Sequence, residues 1–238
     1  MTVRIVTDST ADLTSERVRD IGVTVVPLSV LFGEEALLDG VEITADQFFR
    51  RLAREQVMPT TAQPSAGAFR AAYEALIADG ATEIVSCHIS AALSGTLESA
   101  RQGAEGLSVP VHLIDSKRVS LGLGVGVIEA ARAVAAGLNG EQVAAVASDA
   151  FRRTRLYFTL ETLEYLRRGG RMSRGREMLG TLLNVKPILT IQDGHVEPVG
   201  KIRTKQKAIE DILGRCAELR PLQYTFAVHA TTPDELAY

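Results

Sequence analysis

The sequence predicts an α/β protein of two lobes: a mostly parallel sheet with helices on both faces, then a smaller α+β lobe. Three observations carry that reading. Short β-branched runs alternate with amphipathic stretches through residues 1–150, the pattern of strands joined by crossover helices. Several of those runs end in loops rich in Ser, Thr and Asp, as expected where buried parallel strands open at their carboxyl ends. From about Phe151 the texture changes, and Asp193-Gly194 between two alternating runs marks an antiparallel hairpin in a second lobe, 151–238.

Taken in order, Val3 to Thr7 reads as a buried strand running into Asp-Ser-Thr, and Thr14 to Ile21 as a helix. Val23 to Leu31 is a second β-branched run, and Gly33 and Gly40 punctuate the segment after it. Thr44 caps the next helix with Gln47 as its capping-box partner and Phe48, Phe49 and Leu52 on its apolar side; the helix must stop before Pro59. Ser65 caps a helix to Asp79, closed by Gly80. Ile84 to Ile89 is a strand, Thr96 to Glu105 a helix, Val109 to Ile114 a strand and Val119 to Ala136 an Ala-rich helix. In the second lobe come a strand in LYFTL, a helix in ETLEYLRR, the hairpin Ile188 to Ile191 with His195 to Val199, a helix over Thr204 to Leu219 and a strand over Thr225 to His229. The last residues, TTPDELAY, read as the start of a further helix, so the second lobe is expected to be truncated.

Composition excludes several function classes. The 26 basic and 29 acidic residues leave a formal charge of -3, which gives no electrostatic footprint for nucleic acid or an anionic membrane. The N-terminus MTVRIVTDST is too short in apolar residues for a signal peptide or a span, so a soluble, cytoplasmic protein without integral membrane association is expected. Cys87 and Cys216 lack CxxC spacing and read as packed thiols. Four scattered histidines without HExxH argue against a metal site. His88 and His112 lie in apolar runs and read as core or edge residues, His195 as a solvated hairpin residue; His229, ending a strand, holds the most functional interest.

In an open α/β sheet ligands bind outside the carboxyl ends of the strands. Hydroxyls collect there in TDST (7–10), SAALSGT (90–96) and Asp115-Ser116, and ahead of a helix in TTAQPS (60–65). Each could merely cap a helix or close a turn. Together they suit an anion, a carboxylate or phosphate, held by hydroxyls and helix N-terminal amides without a metal. No cofactor is expected: the chain has no GxxxxGK[ST], and GLGVG (122–126) lacks the GxGxxG spacing and reads as close helix packing. GxSxG is absent too, and no base stands at a motif spacing from the serines of SAALSGT. In YLRRGGR (165–171), Arg167 and Arg168 complement a helix C-terminus and Gly169 takes the left-handed position, leaving Arg171 on a loop where a partner or ligand could read it.

With those residues in view, the sequence resembles the DegV family of bacterial fatty-acid-binding proteins. The matches run in family order: TDSTADL (7–13), VVPLSV (25–30), TTAQPS (60–65), SAALSGTLESA (90–100), IDSKRVSLGLG (114–124), YLRRGGRMS (165–173), LLNVKPIL (182–189) and KIRTKQKAI (201–209). The resemblance implies two α/β lobes holding a long-chain fatty acid between them, in a monomer. It also implies a non-catalytic role as the acyl-binding subunit of a fatty acid kinase. In that role a separate ATP-binding subunit is expected to phosphorylate the bound acid, with the acyl-phosphate passing into phospholipid synthesis.

Carried onto this chain, the resemblance implies Thr61 of TTAQPS and Ser94 of SGT as carboxylate ligands, and Arg171 of GGR as the residue facing the kinase subunit. Ala62 and Ala91 stand where relatives usually carry second serines, which shifts hydrogen bonding towards Ser90 and Thr96. Relatives also continue past this end into a segment whose histidine helps bind the carboxylate. Burying an acyl chain contributes roughly 0.8 kcal/mol per methylene, on the order of 10 kcal/mol gross, against an association cost of about 4–15 kcal/mol. Charge-assisted bonds of about 1.5–3 kcal/mol each would then orient the head group. Two other readings stay open at this level: a small-molecule anion-binding or sensor protein, and a serine-dependent acyl hydrolase using Ser94 or Ser90.

Overall fold

The computed structural model describes residues 2–55, 57–172 and 185–229. Met1–Arg153 belong to one compact unit and Thr154–Phe226 form another.

The first unit is built on a four-stranded parallel sheet. Its strands are β1 (Val3–Asp8), β2 (Val23–Val26), β6 (Glu83–His88) and β7 (Val111–Asp115), in the order β2-β1-β6-β7. Successive side chains of a strand face opposite sides, and both sides here are buried. Val3, Ile5, Val85 and Cys87 pack with Leu123, Val127, Val143 and Phe151 from α5 (Leu121–Ala135) and α6 (Gly140–Arg153). Val6 and Ile84 pack on the other side with Phe69, Tyr73 and Ala100 from α3 (Ala66–Ala78) and α4 (Thr96–Gly103). Full burial of side chains such as Phe69 or Ile84 contributes roughly 1.5–3 kcal/mol each. The remaining helix of the alternation is α1 (Ser15–Ile21), capped by Thr14 and ended by Gly22 in the left-handed conformation.

The run Val23 to Leu31 does not form one strand. Pro27 has no N–H to give a ladder, and the N–H of Leu28 donates to Ser9 Oγ at 3.1 Å, so the chain leaves the parallel sheet. It continues as β3 (Ser29–Phe32) in a separate antiparallel sheet, β4-β3-β5, with β4 (Glu35–Leu38) and β5 (Thr60–Ala62). There Val30, Phe32 and Ile43 form a small core with Phe48 of α2 (Ala45–Arg54). Thr44 and Gln47 make the reciprocal capping box that the sequence predicts.

In the second unit β8 (Tyr157–Thr159), β9 (Lys186–Gln192) and β10 (His195–Ile202) form an antiparallel sheet in the order β10-β9-β8. Asp193 and Gly194 both take positive φ, 48° and 84°, as the tight turn of that hairpin requires. Ile188, Leu189, Ile191 and Val196 are buried in this unit together with Ala208 of α8 (Lys205–Glu218).

Two further expectations fail. Residues 225–229 are irregular and exposed rather than a strand, because an alternating run forms a ladder only where a partner edge is available to it. The left-handed residue after α7 (Glu164–Arg168) is Gly170, φ 72°, while Gly169 stays near helical values. The N–H of Gly170 donates to Arg167 O and that of Arg171 to Leu166 O, a Schellman closure shifted by one residue. The helix start at TTPDELAY lies outside the described residues.

Candidate hydroxyl-lined anion site

Strand order reverses next to β1: the chain moves from β1 outward to β2 and later returns to β6 on the other side. Ligand crevices of open α/β sheets form at such switch points. Asp8, the last residue of β1, and His88, the last of β6, are both fully buried at this point. Asp8 Oδ2 accepts from His88 Nδ1 and from the N–H of Ile89, each at 3.0 Å. Asp8 Oδ1 accepts from the N–H and hydroxyl of Thr10. With His88 assigned as the neutral ring bearing its proton on Nδ1 towards Asp8, its Nε2 accepts from Ser86 Oγ at 2.7 Å. Ser86 in turn is bonded to the Tyr73 hydroxyl at 2.8 Å. Burial pushes the Tyr73 phenol up to about 12, so it keeps its proton, and with the Ser86 proton directed to His88 the phenol donates to Ser86.

SAALSGT begins one residue after Ile89. The N–H of Ser90 donates to Arg118 O at 2.9 Å and that of Ala91 to Asp115 Oδ1 at 3.2 Å. Ser90 organises the turn over residues 91–94: its hydroxyl accepts from Ala92 N–H and its carbonyl from the N–H groups of Leu93 and Ser94. Ser90 is 1 % exposed and Thr96 fully buried, whereas Ser94 is half-buried. Ser94 Oγ lies 2.8 Å from Thr96 Oγ1 and accepts from the N–H of Thr96.

Side-chain capping from the N-cap position does not account for these hydroxyls. Thr14, Thr44, Ser65 and Thr204 each accept from a first-turn amide of their helix. The N-cap of α4 is Gly95, which has no side chain to cap with; Ser94 Oγ, one residue earlier, takes the N–H of Thr96, and the following first-turn amides form the positively polarised end beside it. Thr61 sits exposed on β5, paired with Val30, and the next residues bring its segment to α4. Gln63 Nε2 donates to Ser99 Oγ at 3.0 Å. A Cβ on Gly95 would stand 2.3 Å from Gln63 Oε1, so glycine is what admits this close approach. An open depression of about 240 Å3 adjoins Ala91, Ser94, Gly95, Leu97 and Leu113, with the ion pair Glu98–Arg101 on its wall.

Arg171, in the other unit, is exposed and its Nη1 donates to Gly169 O at 2.6 Å. His112 is half-buried with Nε2 3.1 Å from Glu83 Oε2, His195 is half-buried on β10, and His229 is exposed. Cys87 and Cys216 are free thiols, and burial pushes Cys87 up to about 12. Ser86 has the serine–histidine–aspartate connectivity of a nucleophilic triad, but it is fully buried and bonded to Tyr73, so an ester cannot reach it. Among the described residues no group of three or more His, Cys, Asp or Glu side chains is placed to hold a metal ion, and no helix is long and apolar enough to cross a membrane.

The sequence reading missed Asp8 and His88 because their connection spans 80 residues. The signal available was an Asp ending the first strand of a parallel sheet.

Comparison with known proteins agrees with this topology. A DegV domain-containing protein of Deinococcus radiodurans is 41% identical over 212 residues, 89% of this chain and 75% of that protein. A fatty-acid-binding DegV family protein from Thermus thermophilus superposes with a TM-score of 0.85 at 37% identity, covering 92% of this chain and 78% of its own. DegV from Bacillus subtilis, described as a fatty acid binding protein, has a TM-score of 0.85 at 32% identity, over 92% and 78% of the two chains. The family model described as "Uncharacterised protein, DegV family" matches residues 2–237, and the chain belongs to that family.

Proposed function

We propose that this protein binds a long-chain fatty acid and holds its carboxylate at the amino end of α4, with Ser94 and Thr61 as direct donors and Ser90 and Thr96 shaping the turn. The observation that carries the reading is the amino end of α4: a glycine N-cap with no side-chain cap, and a half-buried Ser94 hydroxyl on the first amide, joined through Gln63 to the strand bearing Thr61. Such an end favours a carboxylate without a metal. The similar proteins of Thermus thermophilus and Bacillus subtilis are both described as binding fatty acid, which supports an acyl ligand over a short polar anion. The depression beside Ser94 is smaller than the roughly 300–1,000 Å3 of enclosed ligand sites, so it would seat only part of such a ligand.

The wider role we infer is presentation of the bound acid to a separate kinase subunit for acyl-phosphate formation. Catalysis in that arrangement belongs to the ATP-binding partner, and this chain contributes positioning. Arg171, exposed beyond the Schellman closure of α7, is the residue we assign to contact that subunit.

The test is direct. Purified protein is denatured and extracted, and the organic phase is analysed by mass spectrometry. A long-chain acid in stoichiometric amount is expected; none, together with no uptake of added oleate, would overturn the reading. Arg171→Ala should retain the lipid and lose its phosphorylation. Loss of lipid from a folded Arg171→Ala protein would place Arg171 in the ligand site instead.

A further inference from the structure

We propose that Asp8, held by His88, is a positioning residue for the head-group turn: it fixes Ile89–Ser94 so that Ser94 and the open end of α4 face one point. The proposal rests on the fatty-acid-binding reading above for its ligand.

Asp8 belongs to β1 and the turn to the segment after β6, yet the carboxylate takes the amide immediately ahead of SAALSGT. That bond is the first of three consecutive anchors. Ile89 N–H goes to Asp8, Ser90 N–H to Arg118 O and Ala91 N–H to Asp115 Oδ1. Two segments, the end of β1 and residues 115–118 at the end of β7, therefore grip the entry to the turn, and of the three anchors only Asp8 lies in the core. The remaining amides are satisfied within the turn by Ser90, so its conformation beyond Ala91 follows from its entry.

His88 gives Asp8 a fixed orientation. Its ring packs edge-on against Phe69 with centroids 5.0 Å apart, and its Nε2 is tied through Ser86 to Tyr73. Donation then runs one way, from Tyr73 through Ser86 and His88 to Asp8. Every member is fully buried, so no water competes for the carboxylate. Core packing on α3 is thereby transmitted to the amide that starts the ligand turn. The network leaves the core at two loops, the one after β1 through Thr10 and the ligand turn through Ile89.

The test compares three full-chain proteins: wild type, Asp8→Asn and Val85→Ala. Val85 is a fully buried neighbour on β6 outside the chain of bonds, so it controls for general destabilisation. Oleate affinity, thermal midpoint and amide hydrogen exchange over 89–94 are measured. Asp8→Asn places an amide N–H₂ against donors. It should weaken oleate binding about ten- to a hundredfold and speed exchange at 89–94. Val85→Ala should lower the midpoint while leaving affinity within about twofold, because its side chain packs on the α5 and α6 side of the sheet and shares no hydrogen bond with the chain. Asp8→Asn with unchanged affinity and unchanged exchange would overturn the proposal. If Asp8→Asn fails to fold, His88→Asn and His88→Leu replace it. Asn retains a donor towards Asp8 and should keep affinity, Leu should not, and equal affinities would overturn the proposal. Wild type that binds no oleate would defeat the ligand reading instead, and exchange at 89–94 would still decide the role of Asp8.

Discussion

Gln63 reaches from the end of β5 into α4, donating to Ser99 Oγ at 3.0 Å, and its carboxamide occupies the space where any residue but glycine at position 95 would carry a Cβ. Gly95 has φ -76°, which any residue tolerates, so the requirement for glycine here is close approach alone. Gly95→Ala should fold, because the group in its way is the far end of a flexible side chain. It should lose the bond to the buried Ser99, about 1 kcal/mol, and separate Thr61 from Ser94. In a double-mutant cycle with Gln63→Ala, the pair should cost no more stability than either change alone. Simple additivity would mean that the two residues do not act through one contact.

Thr61 and Ser94 should divide differently between binding and stability. Thr61 is exposed on β5 and Val suits a strand, so Thr61→Val should change stability by less than about 0.5 kcal/mol. Oleate affinity should nonetheless fall about tenfold or more, the loss of one charge-assisted bond. Ser94→Ala should lower both, since it also leaves the buried Thr96 hydroxyl without its 2.8 Å partner. Isothermal titration with oleate beside thermal denaturation separates the two. Unchanged affinity in Thr61→Val would remove that hydroxyl from the head-group site.

These residues also mark how far a sequence can be read. Capping boxes and the Asp193-Gly194 turn are legible because all of their chemistry lies within four residues. The same rule could have found α6, where Asn139 and Gln142 cap each other reciprocally. What stays hidden depends on partners far along the chain. Pro27 ends β2 in a run that otherwise reads as continuous strand, and Leu28 is drawn off by Ser9, 19 residues earlier. The hydroxyls of SAALSGT look like N-cap residues until the N-cap of α4 is seen to be Gly95, with Ser94 Oγ reaching the N–H of Thr96 from one residue earlier. The alternation in Thr225 to His229 is real in the sequence, but periodicity specifies which face a strand would bury and supplies no edge to pair with.

The two thiols should react on different timescales. Cys87 is fully buried on β6 and held up to about 12, so it has neither exposure nor thiolate at neutral pH. Cys216, half-buried on α8, is raised by burial as well but remains reachable. A maleimide or disulfide reagent at pH 7 should modify one thiol in the native protein and the second only on unfolding. Mass spectrometry of tryptic peptides assigns them. Native labelling of Cys87 would show that β6 opens far more readily than its packing implies.

Asp39 makes stability depend on pH with a sign opposite to that of a salt-bridged carboxylate. Burial raises its pKa above the ordinary 3.8, only partly offset by the Ser9 hydroxyl, which donates to it. The folded state therefore binds the proton more tightly than the unfolded chain. Between the ordinary value and the raised one, stability falls as pH rises, and above the raised value the full penalty of an ionised, half-buried group is in force. Asp39→Asn keeps an acceptor for Ser9 and removes the charge, so it should melt higher than wild type at pH 7. That margin should shrink as pH is lowered and vanish below about pH 4, where the unfolded-state carboxyl also protonates. Thermal melts of both proteins at pH 7, 5.5 and 4 check this, and a margin independent of pH would show that desolvation of the Asp39 charge is not its cause.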